Sequence, residues 1–404
     1  MTLLKGFVFL IPALLPAQIR FSHKSDTTVW LGDSITALGS ANPTTPNDSL
    51  GSGWTAQAVI LANGRIRQIH NAGIPDNTTS QILTRIQTDV VAYHPSKMVL
   101  LAGTNDAAEY GDAPMTDSQL QQTTSNIVEI LQKAMAVGIQ PIICTIPPRT
   151  DSINYKANAQ RINMAIRNIT TQLRIQLVDM YSVLADPNGD YKPGYNSDGG
   201  IHPTPLAAQV MAEQFIISTY RLYASFRETN LANVLDNGTF VGTRGWDGTG
   251  TAAAQLTVLS DGRLNWLRVS LNAAKPATYC FFGIADAIPL AVGHRYALSM
   301  RITTDGIIAN RSHFQIAVFP TQTSSFDGIL GFPNLVYQYQ TDLVDNLFYM
   351  EFIAPVGFNA KPGIELDSGP NSSVTCSISI TDVRLVDLTA ETSAAVAASP
   401  IGRF

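Results

Sequence analysis

The chain has 404 residues, enough for two or three domains of ordinary size. Hydrophobic residues make up 45% and charged residues 14%, a composition that excludes a disordered chain and suits a globular one. A formal net charge of −5 leaves no basic footprint for nucleic acid.

The first segment, residues 1–26, carries Lys5 and then an apolar run from Gly6 to Pro16, the pattern of a signal peptide. The run is too short to span a bilayer. Leu15 stands where a small residue is expected before Ala17, so an attachment segment of a larger particle is the alternative. The expected location is secreted or extracellular, with a virion component as the alternative. No later segment reads as transmembrane.

Residues 27–227 alternate short β-rich runs with longer helical patterns. The runs are 28–31, 66–70, 98–102, 139–145 and 175–178; the helical patterns are 54–62, 79–93, 117–137, 154–173 and 204–224. Ile82, Leu83, Ile86 and Val90 recur at helical spacing in the second pattern. This alternation predicts an α/β domain, a mostly parallel sheet between two helical layers, with its active site at the carboxyl ends of the strands. Near residue 228 the texture changes to alternating strands punctuated by Gly and Pro, which predicts an all-β sandwich over 228–388. The last stretch, 389–404, is rich in Ala and Ser and reads as a frayed tail. Cys144 lies in an apolar run as a core thiol. Cys280 and Cys376 fall in strand-like segments and could pair in an oxidising compartment.

Four short blocks fall where the parallel sheet would gather them. Gly32-Asp33-Ser34-Ile35 follows the first strand, Asn71-Ala72-Gly73-Ile74 the second and Gly103-Thr104-Asn105-Asp106 the third, while His202-Pro203 precedes the last helix. Singly each has a plain structural reading: Ser34 as a helix cap, Asn71 and Asn105 as turn closers, His202 as a surface residue. His70 reads as a packed strand residue. No H-E-x-x-H spacing, phosphate loop or dinucleotide fingerprint is present, so no metal and no cofactor is expected.

Together the four blocks, with Arg85, Asp89, Pro95 and Gly53-Trp54 around them, resemble the SGNH or GDSL-type hydrolases over about residues 27–225. The resemblance implies a flavodoxin-like three-layer fold and a serine esterase. It implies Ser34 as nucleophile, His202 as its base, and an oxyanion hole from the N–H groups of Ser34 and Gly73 and the side chain of Asn105. The family places an Asp three residues before the His. Here Gly199 stands there and Asp198 is four residues before, so Asp198 completes the triad only if Gly199 and Gly200 bulge; Asp190 or a Ser–His dyad are the alternatives.

The region after 228 resembles, more loosely, a jelly-roll carbohydrate-binding module, through Asp236-Asn237-Gly238-Thr239-Phe240, Gly245-Trp246 and the strand at 293–299. This implies glycan binding, with Trp246, Tyr337 and Tyr339 as stacking candidates; a spacer or oligomerisation unit is the alternative. The combined expectation is an esterase removing O-acetyl groups from a polysaccharide or glycoconjugate. A lipase or thioesterase with the same site is the alternative enzyme. An adhesin using the hydrolase fold as a receptor-binding scaffold is the alternative from another class.

Overall fold

The N-terminal half holds five short strands: β1 (Thr27–Gly32), β2 (Arg67–Gly73), β3 (Lys97–Leu101), β4 (Gln140–Cys144) and β5 (Gln176–Val178), largely apolar except for the edge strand β2, Arg-Gln-Ile-His-Asn-Ala-Gly. In the computed structural model they pair in parallel in the order β2-β1-β3-β4-β5. Every residue of β1 and β3 is buried, as central strands covered on both faces require. The model describes residues 27–37, 53–62, 65–197, 199–223, 234–235, 246–250, 254–260, 265–273, 279–284, 288–307, 313–319, 336–339, 342–354, 359–367 and 374–389. The signal-like segment, the expected boundary at 228, Asp198 and all of the tail beyond 389 lie outside them.

The helices are α1 (Ser34–Ala37), α2 (Trp54–Leu61), α3 (Thr79–Asp89), α4 (Asp117–Ala136), α5 (Ile153–Leu173), α6 (Met180–Leu184) and α7 (Pro205–Thr219). α2 packs with α7, while α3 packs with α4 and α4 with α5. Capping boxes start α3 at Thr78 with Gln81 and α4 at Thr116 with Gln119. The helical pattern read over 79–93 breaks into α3 and a 3-10 turn, Val91–Tyr93, closed by His94 at φ 48° before Pro95. The strand order places β2 and β3 on opposite sides of β1. Chain connections therefore diverge at the β1–β3 junction, the crevice where α/β sheets of this order bind ligands.

The C-terminal part is all β, in two antiparallel sheets. One holds β6 (Trp246–Gly250), β9 (Tyr279–Ile284), β10 (Ile288–Pro289), β12 (His313–Phe319), β13 (Val336–Tyr339) and β15 (Asn359–Asp367), in the path β13-β12-β15-β9-β6 with β10 on β15. The other holds β7 (Ala254–Ser260), β8 (Asn265–Ala273), β11 (Arg295–Asp305), β14 (Asn346–Ile353) and β16 (Val374–Asp387), in the order β14-β11-β16-β8-β7. Leu298, Met300 and Ile302 alternate into the core with Phe314, Phe348, Ile378 and Ile380. Cys280 and Cys376 stand on strands of different sheets, β9 and β16, and the side chain of Cys280 lies outside the described part.

One helix belongs to both cores. α2 reads Trp-Thr-Ala-Gln-Ala-Val-Ile-Leu, and all of Trp54 to Ile60 is buried. Trp54, Ala58 and Val59 join the α/β core, whereas Ala56 and Ile60 pack into the sandwich core. The polar Thr55 and Gln57 are buried with the apolar residues, Gln57 Nε2 donating to Pro205 O at 3.1 Å; a helix buried on every side needs cover on every side, and here two different layers supply it.

Candidate active site

Ser34 opens α1 at the carboxyl end of β1. Asp33 performs the capping there. Its backbone carbonyl accepts from Thr36 N and Ala37 N at 3.2 and 3.0 Å, and its Oδ1 accepts from Ile35 N at 3.0 Å. Ser34 is thereby released from the capping role. Its Oγ lies 2.8 Å from His202 Nε2, across 168 residues of chain.

His202 is held through its backbone. Its carbonyl accepts from Ser197 N at 3.0 Å and from Asn196 Nδ2 and Ser197 Oγ at 3.1 Å each. Tyr191 Oη donates to Ile201 O at 2.8 Å, and Thr150 N to Gly200 O at 3.0 Å. Gly199 and Gly200 both have positive φ, 76° and 127°. Gly200 also lies so close to the β4–α5 loop that a Cβ would come within 2.4 Å of Asp151 N, so no other residue fits. Asp198 lies outside the described residues, and its contact with the imidazole stays a proposal. Asp190, the fallback carboxylate, pairs with Lys156 Nζ at 2.8 Å.

Asn105 Nδ2 donates to Asn77 O at 3.0 Å, which ties the loop after β3 to the loop after β2. Three further links hold this junction. Arg149, buried, donates to Thr104 O at 2.7 Å and pairs with Asp151. Asp106 accepts from Thr79 N at 2.9 Å at the start of α3. Asn158 on α5 bonds Met115 N, Ala107 O and Ala113 O. Sequence reading passed over Arg149, Asn158 and Asn163. Sequence carries no signal for them, since α5 holds many polar residues and Arg149 sits in a polar loop; burial forces them to find partners, Asn163 bonding Ile146 N at 2.8 Å and Ile146 O at 2.9 Å.

Gly73 is placed differently from the expectation of an open donor. Its N–H donates to Asn71 Oδ1 at 2.9 Å, closing an Asx turn. Asn71 Nδ2 in turn bonds Thr36 O at 3.0 Å and Thr55 Oγ1 at 3.2 Å. Glycine is needed at 73 because α1 passes close by: a Cβ would lie 2.3 Å from Ala37 N. Just beyond, Asn77 N bonds Ile74 O at 3.3 Å, with Pro75 second in the turn and Asp76 third at φ 63°. That is the type II pattern, which turns the N–H of the third residue outward. Among the described residues no acceptor meets Asp76 N.

Two carboxyl groups behind the site are buried. Burial pushes Asp33 from 3.8 up to about 6; the Ile35 N–H and the Thr104 hydroxyl oppose this, Asp106 adds to it and His202 opposes it. Among the described residues neither Asp33 Oδ2 nor Thr104 Oγ1 closes a hydrogen bond, so the Thr104 hydroxyl acts by proximity and not through a closed bond. Burial also raises Asp106, against its bonds to Thr79. His70 stacks on Tyr93 with ring centroids 4.3 Å apart, and burial lowers its pKa, in keeping with a packed strand residue.

In the sandwich, Trp246 lies on β6 and Tyr337 and Tyr339 on β13, the two opposite edges of one sheet. Among the described residues no helix is long and apolar enough to cross a membrane.

Residues 30–210 match the model of the GDSL-like Lipase/Acylhydrolase family. The match supports a GDSL/SGNH hydrolase domain over that stretch, in agreement with the five-stranded parallel sheet. An uncharacterized lipoprotein of Bacillus subtilis (strain 168), YqeF, is 26% identical over 172 residues, 36% of this chain and 70% of that one. The acetylxylan esterase of Geobacillus stearothermophilus is 20% identical over 201 residues, 46% of this chain and 91% of that one. Among solved structures, a catalytic mutant of the acetylxylan esterase Axe2 from the same organism has a TM-score of 0.41 at 17% identity, covering 49% of this chain and 96% of that one. The lipase/acylhydrolase of Enterococcus faecalis has a TM-score of 0.41 at 18% identity, covering 50% of this chain and 99% of that one.

Proposed function

We propose that the protein is a serine esterase in which Ser34 attacks an ester carbonyl and His202 moves the proton. The observation that carries this reading is the 2.8 Å contact of Ser34 Oγ with His202 Nε2 at the crevice between β1 and β3. Ser34 Oγ donates its proton to Nε2 as it bonds the carbonyl carbon. His202 then returns that proton to the leaving alcohol. Water, deprotonated by the same nitrogen, releases the acid from the acyl-serine. Asp198 is the proposed acceptor for the far imidazole nitrogen.

The developing oxyanion needs donors that do not reorganise during reaction. The N–H of Ser34 and the second Nδ2 hydrogen of Asn105 are two. For the third, Asp76 N–H is the better candidate than Gly73 N–H. Gly73 would have to give up Asn71 Oδ1, while Asp76 has no acceptor to lose and sits in the turn that touches Asn105 through Asn77.

The substrate class we favour is an O-acetylated carbohydrate, with the sandwich as a glycan-binding unit and an extracellular or surface location. An acetylxylan esterase among the relatives supports the first, and a lipoprotein among them supports the last. Acetate release from acetylated polysaccharide, run beside nitrophenyl esters of increasing chain length, tests this. Preference for acetyl supports the reading; rates that rise with chain length point to a lipase or thioesterase instead. No ester hydrolysis at all leaves the scaffold-only reading.

A further inference from the structure

Arg85 lies on α3 beneath the site, its side chain 13% exposed. Its Nη2 donates to Gly32 O at 2.8 Å, its Nη1 to Ala72 O at 2.7 Å, and its Nε to Asn77 Oδ1 at 2.9 Å. Asp89, one turn along, accepts from Nη1 at 2.6 Å. The two carbonyls close the last peptides of β1 and β2. Gly32 O belongs to the peptide that leads into Asp33 and Ser34. Ala72 O belongs to the peptide whose N–H is that of Gly73. Asn77 carries the backbone oxygen that holds Asn105 Nδ2.

We infer that Arg85 is the positioning residue of the oxyanion site, one guanidinium fixing the ends of β1 and β2 and the Asn77 turn in a single register. This rests on the esterase reading above. A planar fork of five N–H donors reaches three acceptors in fixed directions, which an ammonium on a flexible stem cannot reproduce. The plainer role is an i,i+4 pair with Asp89 that steadies α3, a small contribution for pairs of this kind. That role does not explain why three of the four contacts leave the helix for the loops that carry Ser34 and Asn105.

The test compares Arg85→Lys and Asp89→Asn with the wild type. The readouts are kcat and KM on p-nitrophenyl acetate, the thermal midpoint, and inhibition by methylboronic acid, which bonds a serine oxygen and becomes tetrahedral like the transition state. Arg85→Lys is expected to lower kcat by about tenfold to a hundredfold, the scale of sub-ångström misplacement, with KM held within about threefold. Boronate affinity should fall by the same factor as kcat. Asp89→Asn should lower the midpoint at most slightly and leave kcat within about threefold, because the three loop contacts remain. Wild-type kcat in folded Arg85→Lys, or equal losses in both variants, overturns the inference. If Arg85→Lys fails to fold, Asn77→Asp, which keeps the acceptor for Nε, serves as the control for Asn77→Ala, which removes the Nε contact together with the Asn77 Nδ2 bond to Pro75 O. Asn77→Ala must then lower kcat severalfold relative to that control at constant KM, and an unchanged kcat overturns the inference. A wild type that neither hydrolyses the ester nor binds boronate refutes the esterase reading itself, and the role of Arg85 falls with it.

Discussion

Asp33→Asn should make stability less sensitive to pH. Asp33 is fully buried, and its pKa is raised from 3.8 to about 6. Between those two values the folded chain keeps a proton that the unfolded chain has lost, so stability falls as pH rises through the window. Above about pH 6 the cost of a buried carboxylate is fully present, and at about 1.4 kcal/mol per pKa unit it amounts to about 3 kcal/mol. The carboxamide keeps the side-chain acceptor for Ile35 N and can offer Thr104 Oγ1 a donor, without carrying charge. Urea denaturation of both proteins at pH 4, 5, 6 and 7.5 isolates the effect, since other groups titrate equally in both and cancel in the difference. The stability of the variant relative to wild type should improve by about 2.4 kcal/mol from pH 4 to pH 7.5, the rest of the total lying below pH 4. A pH-independent difference, or one that grows in the other direction, refutes the claim that Asp33 is buried at an energetic cost beside the nucleophile.

Asn105→Ala should lower kcat by about 10²–10³ with the fold intact, the usual loss for one oxyanion donor; an unchanged kcat removes Asn105 from the role. Asp198→Asn should cost on the order of 10⁴ in kcat if Asp198 orients His202, because the amide favours the wrong tautomer. A loss under about tenfold would mean that the site runs as a Ser–His dyad. Ile60→Ala should destabilise the protein by about 2–5 kcal/mol, since a fully buried side chain leaves a cavity. A chain ending near residue 228 should show poor solubility and a lowered thermal midpoint because Ala56 and Ile60 lose their cover. A wild-type thermal midpoint in that soluble shortened chain would show that the α/β domain folds without the sandwich.

How much was legible varies by element. The strands at 28–31 and 98–102 were readable because central parallel strands are continuously apolar, and the structure extends or trims them by a residue or so. The helices at 117–137 and 154–173 were readable from period and end within two residues of the expected bounds. α2 is legible as a helix, but sequence does not say that a second layer covers Ala56 and Ile60. The Ser34–His202 pairing was implied by the resemblance to the SGNH hydrolases that the four blocks together carry, and not by any one block. The donors were legible only in part: Asn71 reads as a turn closer and does close an Asx turn on Gly73 N, but the resemblance assigned that same N–H to the oxyanion. Pro75-Asp76 does not reveal which turn type forms. Both depend on how closely α1 approaches the end of β2, a tertiary distance. The network through Arg85, Arg149 and Asn158 was illegible for the same reason, since its acceptors are backbone atoms that carry no sequence signal.

The most direct measurement of the central claim is the intact mass of the protein after reaction with an ethoxy fluorophosphonate, followed by peptide mapping. The account predicts one adduct per chain, located on Ser34. It further predicts that Ser34→Ala abolishes both the adduct and ester turnover, and that His202→Gln slows both by several orders of magnitude while the protein stays folded. Labelling at any other residue, or ester turnover that survives in folded Ser34→Ala, contradicts it.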